Sequence, residues 1–309
     1  MLSQQQIKHL ITGSMVADAL GVPVEFQPRQ SVAVSGMTGY GTYNQPPGTW
    51  SDDSSLTLIL MANLTEGGDL EDLFRKMVRY VENGDYTPFG QMFDIGVTTQ
   101  KAIDNFRARV APLDCGDPSE FANGNGAIMR LAPLAITLLD QVDLVARIAA
   151  IHDYTVITHA HPRSVVASVI YCELLRELFL GQSLASALAI AMNRAEEVNQ
   201  TDELMHFSRL RDGSFVALPE SVIASDGYVV HSLEAALWAN FQAETFETVV
   251  LKAVNLGNDA DTVAQLAAII FLSGHPEAPI PSDWLKTLVT TPQADQITAD
   301  FAQAFGQPN

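Results

Sequence analysis

Two short acidic clusters carry the side chains in this sequence that are best suited to metal chemistry. The first is residues 51–54 (Ser-Asp-Asp-Ser), and the second, about two hundred residues later, is residues 259–262 (Asp-Ala-Asp-Thr). Carboxylate and hydroxyl oxygens, without sulfur, are the ligands that hard divalent cations prefer. If the two clusters converge in the folded chain, they would form a dinuclear metal site, which favours a hydrolytic function.

Each cluster opens an apolar stretch of helical spacing, so each also suits the first turn of a helix. Ser and Asp accept hydrogen bonds from the free N–H groups there, and acids are favourable at the positive end of the helix dipole, for about 1 kcal/mol per cap. Taken singly, each cluster is best explained as a cap. The repetition of the pattern, with two adjacent acids in the first copy and a Gly257-Asn258 turn before the second, favours a role beyond capping.

Helices must position these clusters, because helical spacing extends almost throughout the chain. A first helix is predicted to end at the Gly-Val-Pro sequence of residues 21–23, and no series of period-two strands or strand–helix alternation follows. We therefore expect one compact all-α domain over residues 1–309. Residues 27–50, rich in Pro and Gly, are predicted to form a long irregular loop with a functional role. The further predicted helices cover residues 53–66, 70–83, 94–108, 126–139, 143–157, 163–180, 184–197, 229–243, 245–255, 262–273, 282–289 and 294–305.

A glycine-bearing turn offers a candidate anion site. Residues 121–126 (Phe-Ala-Asn-Gly-Asn-Gly) run into a predicted helix, and such a turn presents unpaired N–H groups to an anion. An ordinary loop with glycines at positive φ explains the same pattern. The anion interpretation matters more in so acidic a chain, because a phosphate must find positive potential somewhere.

Several single residues have both a structural and a functional interpretation. Glu25 is either a solvated loop acid or a site acid, and Asp18, inside an apolar helix, either supports the site or faces solvent. His159 and His161 are better explained as a helix cap or a buried core histidine than as zinc ligands, since no Cys or third His lies nearby. For Asp94 a helix cap is as good an explanation as a role in a site, and for Tyr228 a packing aromatic residue is equally so.

Composition excludes several classes of function. A formal net charge of −19 argues against extended DNA or RNA binding, which depends on Lys and Arg neutralising phosphates. The two cysteines, Cys115 and Cys172, have no spacing that suggests a disulfide framework or a zinc site. The N-terminus lacks a signal-peptide pattern, and the longest apolar run, residues 263–273, is too short to span a bilayer. We expect a soluble, cytoplasmic protein that does not bind membranes.

The ordered set of these segments resembles the ADP-ribosylglycohydrolase family. The resemblance extends from residue 13 to about residue 274, nearly the whole chain, and each segment is weak alone while the ordered set is specific. Two departures occur, Ala17 and Asn258, where the family usually has glycine, and neither removes a predicted ligand. Asn tolerates positive φ better than most residues, so the turn at Asn258 can survive. The matching segments are residues 18–25, 51–54, 93–96, 124–130, 158–162 and 255–262.

The resemblance implies an orthogonal multi-helix bundle with two Mg²⁺ or Mn²⁺ ions at the bottom of a cleft. By position, the implied metal ligands are Ser51, Asp52, Asp53, Asp259, Asp261 and Thr262. The implied catalytic residues are Glu25 and Asp94, with Asp261 serving both roles. The implied ligand-binding residues are Gly124, Asn125 and Gly126 near a diphosphate, and His159, His161 and Tyr228 near the cleft wall.

The resemblance further implies hydrolysis of the bond between C1″ of ADP-ribose and an acceptor, such as arginine or a related adduct, on a protein or a small molecule. The cations would hold the ribose hydroxyls and a water, and an acid would transfer the proton. Two alternatives remain at this point: a non-catalytic ADP-ribose or nucleotide binder on the same scaffold, and a dinuclear-metal phosphohydrolase that cuts the diphosphate. Three points stay open: the acceptor, the choice between Mg²⁺ and Mn²⁺, and whether the reaction is a direct displacement or follows a ring-opened route. We expect a monomer or a weak homo-oligomer.

Overall fold

The computed structural model describes residues 2–198 and 202–308, and the regular secondary structure in those residues is helical, with four isolated β-bridges and no strand. None of the helices in these two ranges is both long and apolar enough to cross a lipid bilayer. The α-helices are α1 (Gln4–Gly21), α2 (Asp52–Glu66), α3 (Leu70–Asn83), α4 (Val97–Arg107), α5 (Ala132–Thr137), α6 (Leu144–Val156), α7 (Pro162–Phe179), α8 (Leu184–Val198), α9 (Ser208–Asp212), α10 (Val229–Phe241), α11 (Phe246–Val254), α12 (Ala260–Gly274), α13 (Ser282–Thr287) and α14 (Pro292–Phe305).

Helix α12 is the central element of the fold. Its residues from Ala260 to Ser273 are buried on every face, as expected of a helix that is apolar all round. Helices α1, α2, α7, α10 and α11 all pack against it. The second acidic cluster begins at the N-terminus of this helix, so the most buried helix of the protein also carries Asp261 and Thr262.

The longest shared surface of α12 is with α1, and two glycines of α1 permit the close approach. A Cβ at Gly13 would lie 2.3 Å from Leu272 Cδ1, and a Cβ at Gly21 would lie 2.3 Å from both Cα and N of Asp261. The second contact is the more restrictive, because backbone cannot move aside as a side chain can. The end of α1 therefore lies directly against the backbone of the second acidic cluster.

The predicted helices largely agree with the structure, and two differ in an informative way. The helix predicted over 126–139 is instead a 3₁₀ turn (Ile128–Arg130) followed by the short α5, because Pro133 lacks an N–H and its ring excludes a continuous helix from the preceding turn. The helix predicted from residue 94 begins at Val97, which leaves Asp94 in a loop. The short α9 was not predicted. Residues 27–50 are irregular apart from brief 3₁₀ turns, as predicted.

A buried ion-pair network joins α6, α7 and α8, away from the acidic clusters. The Arg147 guanidinium donates to both carboxylate oxygens of Glu173 at 2.6 and 2.8 Å, and these two side chains are 3% and 1% exposed. Arg194 reaches Glu173 and Glu177, each at 2.7 Å. Breaking a buried pair is far more destabilising than breaking an exposed one, because the remaining charge stays desolvated.

We predict that Glu173→Gln lowers the free energy of unfolding by about 3 kcal/mol or more, because Arg147 would keep a buried charge without a carboxylate partner. Equilibrium urea denaturation measures the change. The matched control is Glu71→Gln, which removes the exposed partner of Arg75 on α3 and should leave stability nearly unchanged. Equal effects of the two substitutions would contradict the structural importance of the buried network.

Candidate metal centre

The two acidic clusters converge on one cavity of about 560 Å³. Its walls come from the loop after α1, the N-terminus of α2, the loop before α4, the glycine-bearing turn, the loop before α10 and the N-terminus of α12. The two clusters thus meet in the folded chain, which is the condition that a shared metal site requires. The predicted site residues that line the cavity are Glu25, Asp52, Asp53, Asp94, Gly124, Asn125, Gly126, His159, Asp259 and Thr262.

Capping and site formation are divided among the residues at the N-terminus of α2. The Ser51 hydroxyl accepts a hydrogen bond from the Asp53 N–H at 3.3 Å and so caps the helix. Asp18 on α1 accepts bonds from the N–H groups of Ser51 and Ser54 at 3.0 and 3.1 Å, and also from the Ser54 hydroxyl. Because these side chains satisfy the free N–H groups, Asp52 and Asp53 can direct their carboxylates into the cavity.

The second cluster meets the first through direct hydrogen bonds. The Thr262 hydroxyl on α12 donates to Asp53 Oδ2 at 3.1 Å. Asp259 occupies the N-cap position of α12 without making a side-chain capping bond, and its Oδ2 instead accepts from the Asn125 amide. The turn before it depends on positive φ at Gly257 (70°) and Asn258 (56°), so asparagine does keep the turn that a glycine would favour.

Three carboxylates form the part of this cavity best suited to hold a cation. Oxygen atoms of Glu25, Asp259 and Asp261 all lie within 4.8 Å of one another. Glu25 is buried, and its Oε2 has no hydrogen-bond partner in the described part of the chain. An all-oxygen set with an unpaired buried carboxylate fits a hard cation such as Mg²⁺ or Mn²⁺.

Burial and mutual repulsion raise the pKa values of these acids. Burial, followed by the charges of Asp94 and Asp259, raises the pKa of Glu25 to about 8. Burial raises the pKa of Asp18 to about 6 in spite of its hydrogen bonds. The pKa values of Asp53 and Asp261 lie well above the ordinary value, first through burial and then through neighbouring carboxylates. So many carboxylates cannot all be ionised here without a compensating positive charge.

Asp94, in the loop that precedes α4, lines the same cavity as Glu25. The Tyr80 hydroxyl donates to the Asp94 carbonyl at 2.6 Å and anchors that loop. The Gly96 N–H donates to Asp52 Oδ2 at 3.3 Å, which links the loop to α2. Burial raises the pKa of Asp94, so two acids of raised pKa lie on the same cavity. A pair of acids with raised pKa values is the kind of pair that can serve in general acid–base catalysis.

The glycine-bearing turn is held by backbone contacts with the loop before α10. The Asn125 N–H donates to the Gly227 carbonyl at 3.0 Å, and Gly124 pairs with Tyr228 in an isolated β-bridge. The turn continues into a 3₁₀ turn and not into the predicted α-helix. The α-helix predicted directly after this turn is therefore absent, while the turn itself lies in the cavity wall. Its role as an anion site stays a prediction.

Two predicted ligand-binding residues have side chains outside the cavity wall. His161 caps α7, and its Nδ1 accepts from the Arg163 N–H at 3.1 Å. The Tyr228 ring packs against the Arg163 guanidinium, 5.8 Å from the ring centroid, and edge-on against His231. Their roles in ligand binding stay predictions.

Sequence reasoning missed two residues at the site. The Tyr43 hydroxyl is buried without a hydrogen bond, and burial, followed by the nearby carboxylates of Glu25 and Asp94, raises its pKa. Thr99 lines the cavity with a buried hydroxyl that makes no hydrogen bond to a described residue. Tyr43 lies in an irregular loop and Thr99 in an ordinary first helical turn, so neither had a local pattern to reveal it.

Known proteins resemble this chain along nearly its whole length. A family model described as ADP-ribosylglycohydrolase matches residues 2–309. An ADP-ribosylarginine hydrolase, Tri1, of Serratia proteamaculans is 32% identical over 305 residues, which is 98% of this chain and 80% of the relative. An ADP-ribosyl-[dinitrogen reductase] glycohydrolase of Rhodospirillum rubrum is 29% identical over 287 residues, or 89% and 87% of the two chains. A solved ADP-ribosylglycohydrolase-related protein complex superposes with a TM-score of 0.79 at 29% identity, covering 97% and 98%.

The raised pKa values predict that the protein freed of divalent cations by EDTA loses stability between about pH 6.5 and about pH 8. An acid whose folded pKa is raised stabilises the fold at low pH, and that contribution is lost as the pH rises through the folded pKa, about 8 for Glu25. Burial and Arg130 lower the pKa of His159 from 6.5 to about 3. A histidine with a lowered pKa makes stability rise with pH, but only up to about pH 6.5, so this opposite effect ends where the window begins. Urea denaturation at fixed ionic strength measures the slope.

Added Mn²⁺ should flatten this pH dependence, because a bound cation offsets the repulsion among the carboxylates. Glu25→Gln is the matched variant, and it should reduce the slope in EDTA. Stability that rises with pH in EDTA would contradict the assignment of raised pKa values to the cavity.

Proposed function

The chain belongs to the ADP-ribosylglycohydrolase family, and on this premise we propose that it hydrolyses ADP-ribosyl-arginine with the help of two divalent cations. Hydrolysis of an ADP-ribosylated substrate is in the name of both relatives described above, and the first is called an ADP-ribosylarginine hydrolase. The observation that carries the proposal is the convergence of both acidic clusters and Glu25 on one cavity.

The residues that would hold the cations all present oxygen. Bound there, the cations would supply positive charge to the ribose hydroxyls and lower the pKa of a water molecule. The N-cap bonds made by Ser51 and Asp18 keep the N-terminus of α2 fixed while its carboxylates face the cavity. The proposed ligand set is Ser51, Asp52, Asp53, Asp259, Asp261 and Thr262.

The acids of the cavity suit the proposed bond cleavage. Water adds its hydroxyl to C1″, the bond from C1″ to the guanidine nitrogen breaks, and that nitrogen takes up a proton. Glu25 and Asp94, both with raised pKa values, are the groups placed to carry that proton. Carboxylates near C1″ also stabilise the positive charge that develops on the sugar as the bond breaks.

The cavity also suits a cationic leaving group. Asp226 and Asp94 both line the cavity, and the Asp226 side chain is 60% exposed. A guanidinium that leaves between these acids gains favourable charge contacts. This charge pattern, together with the names of the relatives, supports arginine as the acceptor.

The proposal predicts that an ADP-ribosylated arginine peptide releases free ADP-ribose in the presence of Mg²⁺ or Mn²⁺ and that EDTA abolishes the release. Chromatography of the products decides between the candidate functions. AMP together with ribose phosphate would identify a phosphohydrolase, and ADP-ribose binding without any product would identify a binding protein. Either result would overturn the proposal.

A second prediction concerns Asp261, which is buried at the N-terminus of α12. Asp261→Asn should lower kcat/KM at least about 100-fold, since changing even an indirect partner of a metal ligand reduces activity about 10- to 100-fold. Its Mn²⁺ affinity, measured by calorimetry, should fall while circular dichroism stays unchanged. The control is Asp283→Asn, an exposed aspartate in the first turn of α13, which should behave as the wild type. Full turnover of Asp261→Asn would exclude the metal assignment.

A further inference from the structure

A chain of buried hydrogen bonds lies behind the glycine-bearing turn and ends at the cavity. It consists of Arg130, Thr158 and His159, all of which are buried. The Arg130 Nη2 donates to Thr158 Oγ1 at 2.9 Å, and Thr158 Oγ1 lies 2.8 Å from His159 Nδ1. The ring of His159 then forms part of the cavity wall.

The direction of each hydrogen bond follows from the chemistry of the three groups. A guanidinium only donates, so Thr158 Oγ1 must accept from Arg130. The single hydroxyl hydrogen of Thr158 then has one acceptor among the described residues, which is His159 Nδ1. Since Nδ1 accepts, it carries no proton, and a neutral imidazole must carry its proton on Nε2.

The charges around the ring keep it neutral. The other bonds of Arg130 go to the carbonyls of Gly126 and Tyr154, and no carboxylate in the described ranges pairs with it. Burial and then this guanidinium lower the pKa of His159 to about 3, although Asp117 acts in the opposite direction. Asp117 itself is paired with Lys101 at 2.6 Å.

The free edge of the ring lies beneath the glycine-bearing turn. A Cβ at Gly126 would lie 3.0 Å from His159 Cε1 and 3.3 Å from Nε2, and a Cβ at Gly124 would lie 3.6 Å from Nε2. No described residue accepts a hydrogen bond from Nε2, so this N–H is unused by the protein at the cavity wall. The two glycines leave that edge uncovered.

We propose that Arg130 and Thr158 are positioning residues that hold His159 as the neutral Nε2–H tautomer, so that the ring donates a hydrogen bond to a ligand oxygen and does not act as a base. The Arg130 guanidinium also binds the Gly126 carbonyl, so one side chain contacts both Thr158 and the glycine-bearing turn. That the ligand oxygen belongs to ADP-ribose rests on the proposed function. The assignment of the tautomer does not rest on the proposed function, because residues of the protein alone determine it.

Nitrogen NMR of the histidine ring tests the tautomer in the absence of any ligand. In two-bond ¹H–¹⁵N spectra of ¹⁵N-histidine-labelled protein, assigned by the loss of one pattern in His159→Gln, we expect a protonated-type Nε2 and an unprotonated-type Nδ1 from pH 5 to pH 8. An Nδ1–H pattern, or an imidazolium pattern at pH 6, would overturn the proposal.

Thr158→Val tests the cause, since valine has nearly the shape of threonine and lacks the hydroxyl. We expect the Nδ1 resonance to shift and a population of the Nδ1–H tautomer to appear, and Thr158→Ser to restore the wild-type pattern. The matched control is Thr155→Val, because Thr155 is buried one turn earlier and its hydroxyl bonds only to the Ile151 carbonyl. A Thr158→Val spectrum identical to that of the wild type would exclude the role of Thr158.

Two amide substitutions test the donor. Glutamine can place an N–H near the position of Nε2, whereas asparagine places it near Nδ1. With ADP-ribose and Mn²⁺ as the probe, calorimetry should give a Kd for His159→Gln close to that of the wild type and a Kd for His159→Asn about tenfold weaker, the effect of one lost hydrogen bond to a charged or strongly polar group. The reverse order would contradict the donor role. If ADP-ribose does not bind the wild type, the proposed function fails while the NMR result stands.

Discussion

Repulsion among buried carboxylates is the constraint on which the rest of this structure depends. Glu25, Asp52, Asp53 and Asp259 line a single cavity, and Asp261 lies beside Glu25 and Asp259. Burial and neighbouring charge raise the pKa values of these acids together. The formal net charge of the protein is −19, so its Lys and Arg side chains are too few to neutralise its carboxylates. The donor set therefore makes sense as a receptor for hard cations, and the cavity as a place where cations and acids act on one bond.

The fold keeps these acids together by satisfying the backbone with other groups. Asp18 enters from a neighbouring helix to accept the N–H groups at the start of α2, and Asn125 holds Asp259 from the glycine-bearing turn. The first cluster thus both caps a helix and contributes side chains to the cavity. Ser51 and Asp18 cap, which frees the carboxylates of Asp52 and Asp53 for the cavity.

Much of this arrangement could be predicted from the sequence, because helical periodicity and capping residues are local signals. The N-termini of α2 and α12, and the irregular loop of residues 27–50, were all visible in that way. The roles of Tyr43 and Arg130 were not, because they arise only when distant segments pack together. Pro133 broke a predicted helix, since a short-range steric effect overrides a periodic apolar pattern. Tyr228 packs against Arg163, a contact between distant segments that no spacing encodes, whereas the cap made by His161 is a local contact that the sequence already favoured.

Because Gly21 contacts the backbone of Asp261, the length of α1 determines where the residues that follow it lie relative to the second acidic cluster. The loop that bears Glu25 begins where α1 ends, so the separation of Glu25 from Asp261 is measured from a backbone-to-backbone contact and not from side-chain packing. A change in the length of α1 would therefore disturb the site, whereas substitutions away from Gly13, Asp18 and Gly21 would leave this contact in place. One inserted residue would rotate everything beyond it by about 100°, given 3.6 residues per turn, and would carry Gly21 away from its contact. Length in this helix is thus more tightly constrained than composition.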